Sequence, residues 1–493
     1  MKAAGYALAG GVVSAVAFPR IGPGWLILPG IALFLYAVRS APTARIGLLV
    51  GGIYGVSFFS GLLWWIGELG LIAVIPLVLV QAAFMTLYAW WLSRHNGLGP
   101  WPWFLLAVGG WSLMEVVRYR FPFDGFEWGG AGYAVSDQAW ARALAPLYGT
   151  SGVTVLVVMV AAALVFLVKK PTTPLLSIPI ALLVVFLGWN WWGRPVSQDP
   201  VGVEVAIVQG STPCPFEHCP DERLQTFQQH LELTRQIEPG SVGLVVWSEG
   251  STGSTNADPV LNPEVGAAIG AEARRIGAWI LVGSDRPVND EEWVNANVMF
   301  DPEGEIVGEY RKQHPVPFGE YIPFRPLFEW IPALDQVPRD MIPGDGPVVF
   351  DTGSLQVGSV ISFEGSFARY PRQAVDQGAN VIVVATNEGS YGTTPGSDQF
   401  IGMTRMRAAE LGLDVIHSAV TGRSTIISST GVPGEISGLG TEEIIYGVVS
   451  PRPASVYARL GDCLMIVAAV AGVATWWWAR PLVGSVDLPE EKE

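Results

Sequence analysis

Val357-Gly358-Ser359-Val360-Ile361-Ser362-Phe363-Glu364-Gly365 is an apolar, β-branched run that ends at a hydroxyl, a phenyl ring and a carboxylate. Such a run, closed by polar residues and glycine, reads as a short buried strand. The same signature recurs at residues 203–208, 242–247, 280–282 and 381–385. Residues 222–237, 263–276 and 397–411 are polar and periodic, and predict amphipathic helices. Alternating strand and helix over residues 200–455 predict a layered α/β domain, either plain α/β or an α-β-β-α sandwich. Asp301-Pro302-Glu303-Gly304, between apolar segments, reads as a hairpin turn.

Upstream of this domain the chain changes character. Over 493 residues the mean hydropathy is positive and only 15% of residues are charged, which points to membrane spans rather than a wholly soluble protein. Apolar runs at residues 6–18, 25–38, 46–66, 71–92, 101–117, 153–168 and 175–192 predict seven helices, and residues 464–478 predict an eighth. Several are shorter than the ~20 residues that cross hydrocarbon unaided, so the first two are expected to be tilted or ragged. The first run, between Lys2 and Ala15-Val16-Ala17, also has the form of a cleaved signal peptide; a retained helix is the favoured reading. The expected organisation is a transmembrane helix bundle at 1–195, the α/β domain at 200–455, an eighth transmembrane helix at 457–480 and a cytoplasmic acidic tail at 481–493.

Charge sets the expected orientation. With the N-terminus in the cytoplasm, Lys2, Arg39, Arg45, Arg94, Lys169, Lys170 and Arg480 lie on the cytoplasmic side, while Arg20, Arg118, Arg120 and Arg194 flank the other side. Seven crossings then put the α/β domain outside the cytoplasm, in a multi-pass protein of the cytoplasmic membrane. A formal net charge of −15, with 29 Lys and Arg and no basic stripe, argues against nucleic acid as a partner. The cysteines, Cys214, Cys219 and Cys463, are too few for a disulfide framework or a four-ligand zinc site. Cys214 and Cys219 suit a small-loop disulfide outside the cytoplasm. His218 between them comes with no further ligand cluster.

Three strand ends carry reactive groups. Glu249 follows Val245-Val246-Trp247-Ser248, where a general base could sit at a loop mouth. Lys312 and Glu320 lie in Tyr310-Arg311-Lys312-Gln313-His314-Pro315-Val316-Pro317-Phe318-Gly319-Glu320-Tyr321-Ile322-Pro323, where a fixed cation could face a developing oxyanion and a second carboxylate could orient it. Ser362 ends the strand quoted first, where a nucleophile would be presented on a sharp turn. Taken singly, these are an ordinary loop glutamate, an exposed lysine and a strand-terminal serine.

Together they are more than that. The order Glu, Lys, nucleophile, each at a strand end, resembles the nitrilase superfamily, and the surroundings are similar to apolipoprotein N-acyltransferases across nearly the whole chain. The motif after Lys312, residues 316–323, is the most specific; Ala17-Phe18-Pro19, Gly125-Phe126-Glu127-Trp128 with Gly132-Tyr133, Val208-Gln209-Gly210 and residues 403–412 add to it. The resemblance implies an extracytoplasmic nitrilase-like α-β-β-α sandwich joined to about eight membrane helices, without cofactor or metal. It implies that an acyl chain moves from a phospholipid to the nucleophile and then to the N-terminal lipid-modified cysteine of a diacylglyceryl-modified apolipoprotein. Glu249 is then the base, Lys312 the oxyanion stabiliser and Ser362 the nucleophile. Glu320, Glu364, Phe363, Phe318 and Tyr321 line the substrate site, with Phe324, Phe328 and Trp330 divided between a lipid-facing role and plain core packing.

The chain departs from that family at telling positions. Ser362 stands where the family has cysteine, Phe363 where it usually has tyrosine, and residues 213–220 lack a tryptophan. A serine hydroxyl depends more on its base than a thiol does. Two other roles therefore stand beside acyl transfer: an idle membrane anchor for a polyprenyl-phosphate mannose synthase, and a membrane-tethered amidase. An idle scaffold has no physical need for Glu249 and Lys312 in register, and an amidase none for the aromatic loop and the helices.

Overall fold

The structure is a computed structural model; it describes residues 1–167, 174–192, 201–216, 222–253, 257–328 and 330–483. Two compact units divide the chain, residues 1–195 with 460–493, and residues 196–459. The positions of Lys169, Lys170, Arg194, His218 and Cys219 and the acidic tail lie outside the described residues. Cys214 is in a disulfide and Cys463 is free.

The first unit is helical: α1 (Lys2–Val16), α2 (Ile27–Arg39), α3 (Ala44–Leu63), α4 (Leu71–Ser93), α5 (Pro100–Arg118), the short α6 (Ala131–Ala134), α7 (Ala139–Leu167) and α8 (Ser177–Trp192). The segments Ala44–Glu68, Leu71–Ser93 and Ala139–Phe166 are long and apolar enough to cross a membrane. Shorter apolar helices occupy Lys2–Val16, Gly24–Arg39, Pro174–Gly188 and Cys463–Ala479. α7 is broken at Gly149, whose φ of 69° and ψ of 173° are not helical, so it is two helical segments, the second of which holds the apolar run that begins at residue 153. The helix near the C-terminus packs on α5. A Cβ on Gly109 would lie 2.4 Å from the Cα of Gly472, so the two backbones touch as small residues allow.

The second unit runs β1 (Val203–Gln209), α9 (Glu222–Thr234), β2 (Leu244–Trp247), α10 (Pro263–Ile276), β3 (Trp279–Pro287), β4 (Glu292–Phe300), β5 (Ile306–Arg311) and α11 (Arg325–Phe328). It continues with β6 (Asp340–Met341), β7 (Val349–Asp351), β8 (Gln356–Ile361), α12 (Arg369–Asp376), β9 (Val381–Thr386), α13 (Gly396–Leu411) and β10 (Asp414–Ala419). β11 (Thr425–Ile427), β12 (Pro433–Ile436), β13 (Glu443–Val449) and α14 (Val456–Leu460) follow, and α15 (Cys463–Val483) returns to the helical unit.

One sheet has the order β13-β1-β2-β3-β4-β5, with β6 on β4; the other is β12-β11-β10-β9-β8-β7. In each, three central strands are parallel, β1, β2 and β3 in the first and β8, β9 and β10 in the second, and the flanks are antiparallel except for the short β6, which runs parallel to β4. Alternation along each strand builds the layers. Val205, Ile207, Leu244 and Val246 meet Val357, Ile361, Val381 and Val383 between the sheets. Their neighbours Ala206, Val208, Val245 and Trp247 face Phe227 and Leu231 of α9 and Ile269 and Ala273 of α10. α12 and α13 pack on the second sheet. Both faces of the central strands are therefore buried, which is why they read as continuous apolar runs rather than alternating ones. The result is an α-β-β-α sandwich, and Asp301–Gly304 turns the β4–β5 hairpin.

Candidate active site

Parallel strands leave their C-terminal ends on one edge, where loops can gather side chains from several strands. Glu249 lies two residues beyond β2, and Ser362 directly follows β8. Ile361 is in register with Ala385 of β9, so Ser362 stands beside Thr386 and near Asn387. The backbone N–H of Asn387 donates to Glu249 Oε2 at 3.0 Å, tying the end of β9 to the loop after β2. The register and this bond bring Ser362 and Glu249 to one edge of the sandwich.

Glu249 is clamped from both sides. Its Oε1 accepts from Asn295 Nδ2 at 2.7 Å and from Lys312 Nζ at 3.3 Å. A Cβ on Gly283 would come within 2.2 Å of the Ser248 carbonyl oxygen and 2.7 Å of Glu249 Cα, so glycine is what lets β3 pass under this turn. Lys312 donates to Glu320 Oε1 at 2.5 Å, and Glu320 Oε2 accepts from the Val316 N–H at 2.7 Å, which closes the loop 316–320 upon itself. The Lys312 side chain is 1% exposed and that of Glu249 9%, so neither is the solvated group that its isolated sequence context suggests. Burial works against the Lys312 charge, but the carboxylates of Glu320 and Glu249 outweigh it and hold the ammonium above its ordinary pKa. The site thus keeps a permanent cation between the carboxylates of Glu249 and Glu320.

Ser362 is partly accessible and has a φ of 52°. A left-handed conformation costs a non-glycine residue roughly 1–2 kcal/mol and persists where the surroundings fix it. Glu364 fixes it here. Its Oε2 accepts from the Ile361 N–H and the Tyr310 hydroxyl, both at 2.7 Å, and its Oε1 from the Gln313 and His314 N–H groups at 2.5 and 3.0 Å. Burial pushes the Glu364 carboxyl up to about 7 despite these donors. One carboxyl group therefore joins the residue before Ser362 to the segment after Lys312.

Phe363 packs on Phe367 and His314, with ring centroids 4.9 and 5.6 Å apart. Burial, with Arg369 and Lys312 nearby, lowers His314 to about 3, and its Nδ1 lies 3.0 Å from the Tyr370 hydroxyl. Phe318 packs edge-on against Phe328 at 5.6 Å, and its N–H donates to the Tyr321 carbonyl at 2.8 Å. Ile322, Leu334 and Val337, with Phe328, form a small core of their own. Phe324, Leu327 and Trp330 do not join it and are 73%, 64% and 76% exposed. Asn295, Asn387, Tyr310 and His314 were not assigned roles from sequence. Tyr310 and His314 lie in the quoted stretch around Lys312, and Asn387 stands two residues past the apolar run 381–385, whereas Asn295 had no legible signal.

A nitrilase-type hydrolase domain carried on a chain with a helical, membrane-type unit is the class of protein that this fold and this edge define. Residues 204–456 match the carbon-nitrogen hydrolase family, and residues 10–163 match the apolipoprotein N-acyltransferase N-terminal domain. The chain belongs to the carbon-nitrogen hydrolase family, and its relatives named apolipoprotein N-acyltransferase are acyltransferases of that superfamily. Among its relatives, the apolipoprotein N-acyltransferase of Geobacter metallireducens is 28% identical, over 95% of this chain and 93% of that one. That of Methylococcus capsulatus is 26% identical, over 96% of each chain. An amidase from Nesterenkonia sp. is a similar solved structure, at 15% identity and a TM-score of 0.41, covering 54% of this chain and 96% of the amidase.

Proposed function

We propose that this chain acylates the α-amino group of the lipid-modified cysteine that begins an apolipoprotein, taking the acyl chain from a phospholipid by way of an ester on Ser362. The observation that carries the reading is the buried Glu249–Lys312–Glu320 cluster at the sheet edge where Ser362 ends β8. Glu249 takes the Ser362 hydroxyl proton as Oγ attacks the acyl ester carbonyl, and the oxyanion forms against Lys312. Collapse expels the lysophospholipid alkoxide, which takes the proton from Glu249. The incoming amine then attacks the Ser362 ester, Glu249 removes a proton from nitrogen, and Ser362 Oγ leaves and is reprotonated. Glu320 orients Lys312, and Glu364 holds the turn that presents Ser362.

The exposed Phe324, Leu327 and Trp330 suit a lipid acyl donor, and Phe363, Phe318 and Tyr321 are assigned to the substrate site with them. In this reading about eight helices span a bacterial cytoplasmic membrane and the sandwich lies on its extracytoplasmic side. The first test is intact-protein mass spectrometry of the detergent-purified protein and of Ser362→Ala and Ser362→Cys after incubation with phospholipid. The wild type is expected to gain an acyl mass that Ser362→Ala lacks. Acylation of Ser362→Cys alone would mean that the site survives without its chemistry, and would turn the reading toward the anchor for a polyprenyl-phosphate mannose synthase.

A further inference from the structure

A second buried carboxylate lies one residue from the groups that hold Glu249. Glu388 is 3% exposed and sits in the left-handed region at φ 61°. Its Oε1 is 3.0 Å from His417 Nε2 on β10, and His417 Nδ1 is 3.0 Å from Thr404 Oγ1 on α13. Gly422 closes over the other side, where a Cβ would meet Glu388 Oε2 at 2.0 Å. Neighbouring Asn387 is fixed by more than its N–H. Its Oδ1 accepts from the Gly389 N–H at 2.9 Å, and its carbonyl accepts from the Thr421 N–H and hydroxyl, both at 3.3 Å. Nothing in the chemistry proposed above uses Glu388 or His417.

We infer that Glu388 is a positioning residue: paired with His417, it locks the strained turn after β9 so that the Asn387 N–H stays aimed at Glu249 Oε2. An N–H donor favours the charged form of a carboxylate, so its alignment sets the pH below which the base is lost. Glu388 acts through Asn387 and touches no reacting atom. The other titratable groups around Glu249 are Lys312, Glu320 and the half-buried Tyr391, and Tyr391 also lies beside Glu388. The charge of Glu388 itself would act in the opposite sense to the hydrogen bond, since removing a negative neighbour lowers a carboxyl pKa.

This inference rests on Glu249 being the base, and its test does not require acyl transfer. In a Ser362→Cys background, the pH dependence of thiol alkylation by iodoacetamide is followed at the peptide carrying position 362, which separates it from Cys463. The acid limb reports the proton shared by the thiol and the carboxylate that assists it, and lies below that of an unassisted thiol, near ~8.5, as long as the carboxylate can take that proton. Glu388→Gly is the informative change, because glycine accepts φ 61° without strain and so keeps the fold while deleting the link to His417. Its acid limb is expected to move up by about one pH unit. Glu388→Gln keeps an acceptor for His417 and should restore the limb.

An unmoved limb in Glu388→Gly, or a downward shift in both variants, overturns the inference, the latter by showing Glu388 to be merely a nearby charge. Should only Glu388→Gln fold, a limb displaced from that of the parent in either direction overturns it equally. In a Glu249→Gln control the limb should move to that of an unassisted thiol, near ~8.5, which confirms the base, and a control whose limb stays where the parent has it removes the reading on which the inference rests. A wild type that forms no acyl-enzyme leaves the alkylation result standing.

Discussion

Ser362, the proposed nucleophile, is a hydroxyl on a strained backbone, and the groups around it explain how that strain persists. Glu364 holds the preceding Ile361 N–H, and Glu249 waits behind Asn387 and Asn295. Lys312 is the common counter-ion of Glu249 and Glu320, so Lys312→Met should leave two buried carboxylates facing each other. Breaking a buried pair in this way costs about 3–5 kcal/mol. Denaturant unfolding at neutral pH should show that loss, and much of it should return in acid, where the carboxylates are protonated; a loss that does not vary with pH would contradict the arrangement. Glu364 makes a second prediction. With its pKa raised to about 7, its native form holds a proton that the unfolded chain, near ~4.3, has released. Its stabilising contribution is therefore complete below the unfolded value and is lost as pH rises through 7. The melting temperature of the wild type relative to Glu364→Gln should be higher at pH 5 than at pH 8. A difference that widens with pH would mean that the four donors, rather than burial, govern this carboxyl group.

At the scale of elements, the site depends on close approach as much as on polar contacts. Gly283 lets β3 run beneath Ser248 and Glu249, so Gly283→Ala must displace the base although it touches no reacting group. A misplacement of ~1 Å can cost about 100-fold in rate. The acylation rate of Gly283→Ala should fall on that scale while the protein stays folded; a normal rate would show that the turn can yield. This dependence also marks what sequence can reveal. The central strands β1, β2, β8 and β9 were legible because both of their faces are buried, so their apolar runs are uninterrupted. β4 and β10 escaped because Asn295, Asn297, His417 and Ser418 interrupt their pattern, and those residues are buried for their hydrogen bonds. Glu249, Lys312 and Ser362 could be found as strand ends in a familiar order. Asn295 and the Glu388–His417 pair could not, since Asn295 lies 46 positions from Glu249 and Glu388 lies 29 from His417, and only the folded sheet joins them.

The whole molecule joins two kinds of solvent adaptation in one chain. α3, α4 and α7 are apolar around much of their surface, whereas the sandwich buries its apolar strands between polar-faced helices. Their boundary was visible in composition, from the change at about residue 200, while the helical segment before Gly149 was not, because Arg142, Pro146 and Gly149 interrupt the sequence upstream of the run at 153–168. The proposed orientation rests on charge placement alone: it assigns Arg39, Arg45 and Arg94 to the cytoplasm and the sandwich to the opposite side. The chemistry proposed here needs that arrangement, because an acyl-enzyme formed on the cytoplasmic side would not meet a lipoprotein already carried across the membrane. Val288, 53% exposed near the β3–β4 turn, offers a position to test it. In a Cys463→Ala background and intact cells, Val288→Cys should react with a membrane-impermeant maleimide, whereas Arg94→Cys should react only after permeabilisation. Cys214, being in a disulfide, should contribute no label. The reverse pattern would place the sandwich in the cytoplasm, and the substrate assignment would then fall even if Ser362 accepts an acyl chain in detergent.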